Sequence, residues 1–332
     1  MSTRARRGKA AARQWTEGVM KDKLVTLIGG GGFLGRYVAQ HLLAAGARLR
    51  IAQRDPRGAY FLKTQSGLGQ TQFVAADVRR PETIARAVAG ADAVVNLVGA
   101  LKGDFAAIQL GGARHVAEAS ARAGVAALVH VSAIGADAES LSRYGRTKGE
   151  GEAAVRAAFP GATIVRPSIM FGREDGFINR FAAMIASPLP VIPVLRATEK
   201  FQPVFVGDVA AAIVAAIADP DKAAGRTFEL GGPDIVTMGA LIRWIARAIG
   251  RTPAIIELPD LIGGLISWGG FLPGAPITRD QWLMLQVDNV VAPGAATLGD
   301  LGVTPTPLDT VAPGWLVQYR RHGRFTTSAS AA

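Results

Sequence analysis

Three glycines near the amino terminus have the spacing of a phosphate-binding loop. Gly29, Gly32 and Gly35 follow an apolar run at 24–28 and precede a stretch with helical periodicity. Glycine permits a tight turn, lets main-chain N–H groups approach a pyrophosphate, and leaves that group at the positive end of the following helix. Because the loop lies between a strand and a helix, it predicts nucleotide binding rather than an ordinary glycine-rich turn. Its predicted contacts are Gly29, Gly31, Gly32, Phe33, Leu34 and Gly35.

The residue types at the end of the second predicted strand bear on which dinucleotide is bound. An NAD-binding protein places Asp or Glu there against the ribose 2′-hydroxyl, whereas this chain has Gln53 and Arg54, followed by Asp55. A guanidinium can pair bidentately with a 2′-phosphate, so the sequence favours NADPH. In the alternative, Arg54 is a solvated side chain, Asp55 binds the ribose, and the cofactor is NAD(H).

Three polar side chains have the spacing needed for hydride-transfer chemistry. Tyr144 and Lys148 lie four residues apart, on one face of a predicted helix, and Ser132 ends the strand before it. The lysine would lower the pKa of the phenol and reach a ribose hydroxyl, while the serine would orient a substrate carbonyl or hydroxyl. These residues are therefore candidates for catalysis. In the alternative, Lys148 only holds the cofactor ribose, Tyr144 packs, and nothing is turned over.

Other cofactor contacts are predicted from their positions at successive strand ends. Asp77 and Val78 would flank the adenine, and the residues from Asn96 to Gly99 would lie along the inner ribose and the nicotinamide. Outside the glycine loop, the predicted cofactor-binding residues are Arg54, Asp77, Val78, Leu97, Val98, Gly99, Ser132, Tyr144, Lys148 and Pro167.

The elements that must position these side chains alternate between strand and helix. Strands are predicted at 24–28, 47–52, 71–75, 92–98, 127–132 and 162–166, with helices at 33–45, after residue 81, at 106–123 and at 144–158. The alternation predicts an α/β Rossmann fold with a doubly wound parallel sheet. Farther on, a helix capped by Asp208, a strand at 226–230 and a helix at 237–249 predict a smaller C-terminal α/β cap that partly returns to the sheet.

Composition and charge limit the classes of partner. The 332 residues carry a formal net charge of +11, and much of it lies at the ends, since residues 1–23 hold seven basic and two acidic side chains and residues 319–332 hold three basic and no acidic ones. Because no basic stripe crosses the folded region, we expect no nucleic-acid partner. The basic ends favour anionic lipid or an acidic partner; solvated ends, or a transit peptide at the start, are the alternatives.

These patterns divide the chain into four predicted segments. They are a basic disordered tail or presequence at 1–22, a Rossmann NADP(H)-binding domain at 23–170, a smaller cap or docking domain at 171–318, and a basic tail at 319–332. With no cysteine and four scattered histidines, no metal site is expected. The uncharged stretch 261–278 is interrupted by glycine and proline, so it predicts a packed or interfacial element rather than a membrane span.

Several motifs carry a resemblance to known families. The glycine loop, the Tyr144-x-x-x-Lys148 pair and residues 206–210 (VGDVA) resemble the extended or atypical short-chain dehydrogenases. Residues 171–175 (FGRED), 202–204 (QPV), 277–280 (ITRD) and 298–307 are more specific. Together with Phe177, Asn179 and residues 181–182, they resemble the alpha-9 accessory subunit family of respiratory complex I, over about residues 24–325.

The resemblance implies a tightly held NADPH in a protein that docks where the peripheral and membrane arms of complex I join, near the quinone entry. Its implied partners are other complex I subunits and membrane surface lipid, with a peripheral location on the inner membrane, on the cytoplasmic side in a bacterium or the matrix side if mitochondrial. It implies an accessory role without a known hydride-transfer substrate. The chain departs from the patterns of these families at two places. Gly30-Gly31 stands where threonine is common in the glycine loop, and Ala133 stands where epimerases often have a second hydroxyl residue.

A second hypothesis is a soluble NADPH-dependent short-chain reductase, or a sugar-nucleotide epimerase or dehydratase, that uses Ser132, Tyr144 and Lys148. A sugar-nucleotide enzyme needs basic side chains in its cap to hold a diphosphate, and residues 253–278 contain none. A redox-sensing NADPH binder is a third interpretation.

Overall fold

The computed structural model describes residues 20–188, 191–269 and 277–325. Contacts divide them into two compact units. The first unit comprises residues 20–167, 206–230 and 291–305, and the second comprises the described residues within 168–205, 231–290 and 306–325. The four predicted segments stay predictions. Most of the two basic segments lies outside the described residues, namely residues 1–19 and 326–332.

Within the described residues, the strands are β1 Leu24–Ile28, β2 Arg48–Gln53, β3 Thr71–Ala75, β4 Ala93–Asn96, β5 Ala127–Val131, β6 Thr163–Pro167, β7 Met170–Phe171, β8 Val191–Leu195, β9 Lys200–Phe201, β10 Val204–Phe205, β11 Thr227–Leu230, β12 Val236–Thr237 and β13 Ala254–Leu258.

The α-helices described are α1 Phe33–Ala44, α2 Pro81–Val88, α3 Gly112–Arg122, α4 Arg143–Ala158, α5 Ile178–Ala186, α6 Val206–Ala218, α7 Pro220–Ala223, α8 Met238–Ala248, α9 Asp260–Trp268, α10 Arg279–Met284, α11 Leu308–Val311 and α12 Pro313–Leu316. A π-helical turn, Ala106–Gly111, precedes α3, and short 3-10 segments are Pro56–Gln65, Gly299–Leu301, Val317–Tyr319 and Gly323–Phe325.

The first unit is built on a seven-stranded sheet with the order β11-β6-β5-β4-β1-β2-β3. Its strand pairs are all parallel. Four of the five β1 residues are buried, as expected of a parallel strand that is covered on both faces. The strand order reverses between β1 and β4, and the crevice at that point is where doubly wound sheets bind ligands. The predicted fold class is confirmed.

Helices cover both faces of this sheet. A buried cluster that includes Ile84, Val116 and Val155 joins α2, α3 and α4 to Val94, Leu128 and other strand side chains. Helices α1 and α6 pack against each other outside that cluster. The strands therefore lie in a continuous apolar layer, and their carboxyl ends form one edge where polar side chains can meet.

Two predicted elements differ from the structure. Asp208 was predicted as the N-cap of a helix, but this is wrong because α6 already begins at Val206, directly after β10, and Asp208 lies inside its first turn. A carboxylate there still interacts favourably with the helix dipole. The helix predicted over 106–123 is interrupted, since residues 106–111 form the π turn and α3 begins only at Gly112.

The second unit has its own core. Strands β8 and β13 pair in parallel, and α5 and α8 pack with them around buried side chains such as Phe171, Ile192, Ile242 and Leu316. In the part of the chain that the structure describes, no helix is long and apolar enough to cross a bilayer.

Candidate dinucleotide-binding site

The glycine loop is a tight turn that only glycine can form. Gly29 follows β1 with φ +83°, in the left-handed region that favours glycine. The Gly32 N–H donates to the Gly29 carbonyl at 3.1 Å and closes the turn. A Cβ on Gly35 would collide with the carbonyl oxygen of Gly30, and one on Gly31 would collide with Oε1 of Gln53. The loop and α1 therefore approach each other more closely than side chains would allow.

The first turn of α1 contains main-chain donors that the helix itself does not satisfy. Its N-cap is Gly32, which has no side chain to accept a hydrogen bond, so the N–H groups of Phe33, Leu34 and Gly35 have no intrahelical partner. Leu34 itself is buried beneath the helix. Uncapped N–H groups at the positive end of a helix are suited to an anionic phosphate. The glycine cradle and this helix end fit a dinucleotide.

Gly31, Gly32, Gln53, Arg54 and Asp55 line a cleft of about 540 Å³ beside the loop, a volume within the usual range for small-molecule sites. The Gly31 N–H donates to Gln53 Oε1 at 3.0 Å, and the Arg54 side chain is exposed.

Asp55, the alternative ribose ligand, is already engaged. Its carboxylate accepts from the Nε and Nη2 of Arg57 at 2.9 and 3.0 Å and from the Arg57 main-chain N–H at 3.1 Å. These hydrogen bonds lower the pKa of the Asp55 carboxyl. The carboxylate also caps the 3-10 segment that starts at Pro56, so binding a ribose would compete with a local structural role.

The ends of β3 and β4 lie at the same edge. Asp77 accepts a 2.6 Å hydrogen bond from Arg79, which lowers the pKa of its carboxyl to about 2, with a smaller contribution from the charge of Arg54. Val78 is buried and packs so closely on α3 that a Cβ on Gly112 would lie 2.7 Å from its Cγ2. Of the two predicted adenine neighbours, only Asp77 is partly exposed.

Residues 97–99 leave β4 toward the glycine loop. The Leu97 N–H donates to the Ile28 carbonyl at 2.9 Å, and a Cβ on Gly29 would lie 3.1 Å from Val98 Cγ2. Gly99 is exposed, and its own Cβ would lie 3.5 Å from Lys148 Nζ. The structure therefore brings the glycine loop, the β4 end and Lys148 together at the point where the strand order reverses.

Ser132, Tyr144 and Lys148 lie near the ends of β5 and on α4. Ser132 is buried, and its Oγ has no hydrogen-bond partner among the described residues. Lys148 Nζ donates to the Val131 carbonyl at 3.0 Å, and burial lowers its pKa to about 8 against the opposing effect of Glu152. Pro167 ends β6, where its carbonyl accepts from the Ile134 N–H at 3.1 Å.

Tyr144 holds its proton at neutral pH. Its ring packs edge-on against Phe105 with centroids 6.2 Å apart, and burial raises the pKa of the phenol to about 12. The expectation of a lowered phenol pKa is therefore wrong in direction, because burial disfavours the charged phenolate. The phenol is therefore suited to donating a proton and poorly suited to accepting one.

The sequence analysis did not single out His130. It lies opposite Asn96 in the β4–β5 pairing, with its Nδ1 3.0 Å from Asn96 Nδ2. Burial, with help from the charges of Lys148 and Arg156, lowers the His130 pKa to about 3, so the ring is neutral. Two polar residues inside otherwise apolar strands are the signal that could have identified this buried pair.

Comparisons with known proteins agree with this geometry. A family model described as the NAD dependent epimerase/dehydratase family matches residues 25–231. The NADH dehydrogenase (ubiquinone) 1 alpha subcomplex subunit 9, mitochondrial, of Mus musculus is 38% identical over 298 residues, covering 86% of this chain and 78% of that protein. A ceramide reductase of Caulobacter vibrioides is 33% identical over 243 residues, covering 71% of this chain and 74% of that protein.

Among solved structures, the NADPH-dependent quinone oxidoreductase of Escherichia coli, complexed with NADPH, superposes with a TM-score of 0.71 at 19% identity, covering 88% of this chain and 99% of that one. At that identity the likeness concerns the fold alone.

Proposed function

This chain belongs to the NAD dependent epimerase/dehydratase family and, within it, to the family of the complex I alpha subcomplex subunit 9, and from that membership we propose that it is an NADPH-binding accessory subunit of respiratory complex I. The observation that carries the proposal is the extent of the 38% identity to the mouse subunit. It covers 86% of the chain, a share too large to lie within the epimerase-like residues 25–231. The likeness therefore extends into the part of the chain that a dinucleotide fold alone would not require.

The coenzyme proposal is supported by the glycine cradle and by charge. In it, the N–H groups of Phe33 and Leu34 hold the pyrophosphate, and the exposed Arg54 pairs with a 2′-phosphate. Asp55 is occupied by Arg57, which favours NADPH over NADH. Bound in this way, the coenzyme acts as a structural ligand, and it would stabilise the folded chain by about 2.7 kcal/mol at a hundredfold excess over Kd.

Helix α9 supplies a surface for the rest of the assembly. It turns its small residues inward, since Gly263 and Ser267 are buried and a Cβ on Gly263 would collide with the ring of Trp282. Its large residues face outward, with Leu265 65% and Trp268 64% exposed. This arrangement is the reverse of an ordinary surface helix, and contiguous exposed apolar side chains mark interaction sites.

The same helix supports a peripheral contact with the inner membrane. The Arg279 guanidinium lies 4.2 Å from the centroid of the Trp268 ring, so an aromatic ring and a cation stand together beside the exposed leucines. Tryptophan is enriched at the membrane–water interface, and a cation there is attracted to anionic lipid. In the proposal, α9 rests on the lipid surface beside other complex I subunits, on the cytoplasmic side in a bacterium or the matrix side in a mitochondrion.

Leu265→Asp is expected to release the chain from membranes, because a carboxylate would have to be buried in the apolar contact. In cells that lack the endogenous chain, the wild type should sediment with membranes and migrate with complex I on a native gel. The variant should lose at least about 90% of that association, which requires an affinity at least about tenfold lower, or roughly 1.4 kcal/mol or more. Leu68→Asp, at a fully exposed leucine of the first unit, is the matched control and should behave as wild type.

Flotation of the purified chain with vesicles of anionic phospholipid separates lipid from protein partners. Wild type that floats, together with a Leu265→Asp variant that does not, supports the lipid contact. A wild-type chain recovered wholly in the soluble fraction, in cells whose complex I is intact, would contradict the accessory-subunit proposal.

A second candidate function is carbonyl reduction, favoured by the buried and unpartnered Oγ of Ser132. In this alternative, NADPH supplies a hydride to a carbonyl carbon when it is bound. Ser132 donates a hydrogen bond to the carbonyl oxygen, and the Tyr144 phenol, neutral at pH 7, gives that oxygen its proton. The Caulobacter relative is a reductase by name.

Tyr144→Phe distinguishes the two functions. If the chain is a reductase, oxidation of NADPH with a panel of carbonyl compounds, followed by absorbance at 340 nm, should fall by a factor of about 100 to 10,000 in the variant, while NADPH remains bound. If the chain is an accessory subunit, neither protein oxidises NADPH above the rate without enzyme. Loss of bound coenzyme in the variant would instead support the predicted contact between Tyr144 and the cofactor.

A further inference from the structure

A buried amide side chain joins three elements beside the candidate site. Gln109 lies in the π turn Ala106–Gly111 and is only 2% exposed. Its Nε2 donates to the Ala100 carbonyl at 2.7 Å, and its Oε1 lies 3.1 Å from Thr147 Oγ1, a hydroxyl whose hydrogen it shares with the Arg143 carbonyl at 2.7 Å. Ala100 belongs to the loop that follows β4, and Thr147 lies on α4 between Tyr144 and Lys148. One side chain therefore ties that loop to the helix that carries both residues.

The loop at 97–105 is held at its two ends as well. A Cβ on Gly99 would lie 3.5 Å from Lys148 Nζ, and Phe105 packs edge-on against Tyr144. Asp104 Oδ1 accepts the Ala107 N–H at 3.0 Å and fixes the entry to the π turn. Residues 101–104 are exposed, so Gln109 supplies the anchor in the middle of a loop whose outer part faces solvent.

The π turn accounts for the position of Gln109. The Gly112 N–H donates to the Ala107 carbonyl, five residues earlier, which makes the turn wider than that of an α-helix. Such turns occur mostly as single insertions, frequently at functional sites. A Cβ on Gly151 of α4 would lie 2.5 Å from the Gln109 carbonyl oxygen. The two backbones are thus in contact, and the Gln109 amide is confined between the loop and Thr147.

We infer that Gln109 is a positioning residue for the nicotinamide end of the coenzyme, because it holds Gly99 and Ala100 at a fixed place beside Lys148. The inference rests on the proposed binding of NADPH. The adenine end is assigned to Arg54 and to the ends of β2 and β3, whereas the described hydrogen bonds of the Gln109 amide go to Ala100 and Thr147. A change at Gln109 therefore acts on one end of the coenzyme only.

The test compares two ligands on the purified full-length chain. Gln109→Met keeps the size of the side chain and removes its hydrogen bonds. It should raise the Kd of NADPH about tenfold, shift the fluorescence emission of bound NADPH toward that of free NADPH, and leave the Kd of adenosine 2′,5′-bisphosphate within about twofold. Gln40→Met, at an exposed glutamine of α1, is the control and should change neither Kd.

Thr147→Val removes the partner of Gln109 Oε1, together with the contacts of the same hydroxyl to the Arg143 and Tyr144 carbonyls at 2.7 and 3.2 Å, and gives a second test should Gln109→Met fail to fold. It should weaken NADPH about threefold without affecting the bisphosphate. Equal weakening of both ligands, or an unchanged Kd and emission for NADPH in these variants, overturns the inference. Wild type that binds neither ligand overturns the coenzyme proposal itself, and this inference with it.

Discussion

Arg54→Glu is expected to raise the Kd of NADPH at least about a hundredfold and to leave the Kd of NADH within about threefold. The substitution replaces a charge-assisted hydrogen bond to the 2′-phosphate by repulsion between two anions. It also places a second carboxylate near Asp77, whose pKa is lowered in part by the charge of Arg54. NADH has a hydroxyl in place of that phosphate, so it lacks the group on which the change acts.

Fluorescence titration with both coenzymes measures this difference. Arg86→Glu is the matched control, because Arg86 is an exposed residue of α2 and its exchange alters the net charge of the chain by the same amount. The control should bind NADPH as wild type does, apart from a small change that added salt removes. An equal loss of both coenzymes in Arg54→Glu, or no loss, would instead favour Asp55 as the ribose ligand and NAD(H) as the cofactor.

Local patterns were sufficient to predict the central sheet. Strand β1 has the predicted bounds, because an apolar run closed by four glycines is compatible with a buried parallel strand and with little else. Strand β3 also has its predicted bounds. Helix α4 begins one residue before its predicted start and ends at Ala158 as predicted. In β1 and α4 the apolar spacing and the glycine or proline that follows decide where the element ends.

Contacts between distant parts of the chain could not be predicted from local sequence patterns. Glu152 on α4 is buried and accepts hydrogen bonds from Nε and Nη2 of Arg166 at 2.8 and 2.7 Å. The same guanidinium lies 3.3 Å from Glu229 on β11. The sequence shows three ordinary charged residues, and only the pairing of β6 with β11 makes them a network. The buried Gln109 and the inward-facing Gly263 depend in the same way on what lies opposite.

The candidate site also has features that the local sequence predicts and features that depend on tertiary contacts. The glycine loop, Arg54 and the Tyr144–Lys148 pair could be recognised because each is a set of residue types at a short, fixed spacing in the sequence. The protonation state of Tyr144 could not, since burial sets its pKa at about 12, and burial depends on Phe105 and the loop that carries it. Residue identity thus indicates which chemistry is available, while packing decides the direction in which a proton can move.

Gly35→Ala is expected to abolish coenzyme retention and to destabilise the first unit by about 2 kcal/mol. A Cβ at this position would collide with the Gly30 carbonyl oxygen and lie 2.6 and 2.7 Å from its carbonyl carbon and Cα. These are backbone atoms of the phosphate loop, so relief requires the loop to move away from α1. Overpacking of this kind costs about 1–3 kcal/mol or more, whereas alanine gains at most about 1 kcal/mol over glycine inside a helix.

Gly314→Ala is the control that separates the stability gained by alanine in a helix from the steric cost of the added Cβ. Gly314 lies in α12, and a Cβ there would have no heavy atom within 4 Å, so this variant should unfold at the wild-type temperature or slightly above it. Thermal unfolding and the NADPH released on denaturation measure both variants. If Gly35→Ala unfolds at the same temperature as Gly314→Ala and retains its NADPH, the close approach of the loop to α1 is not what holds the pyrophosphate. The site would then lie elsewhere on the carboxyl edge of the sheet.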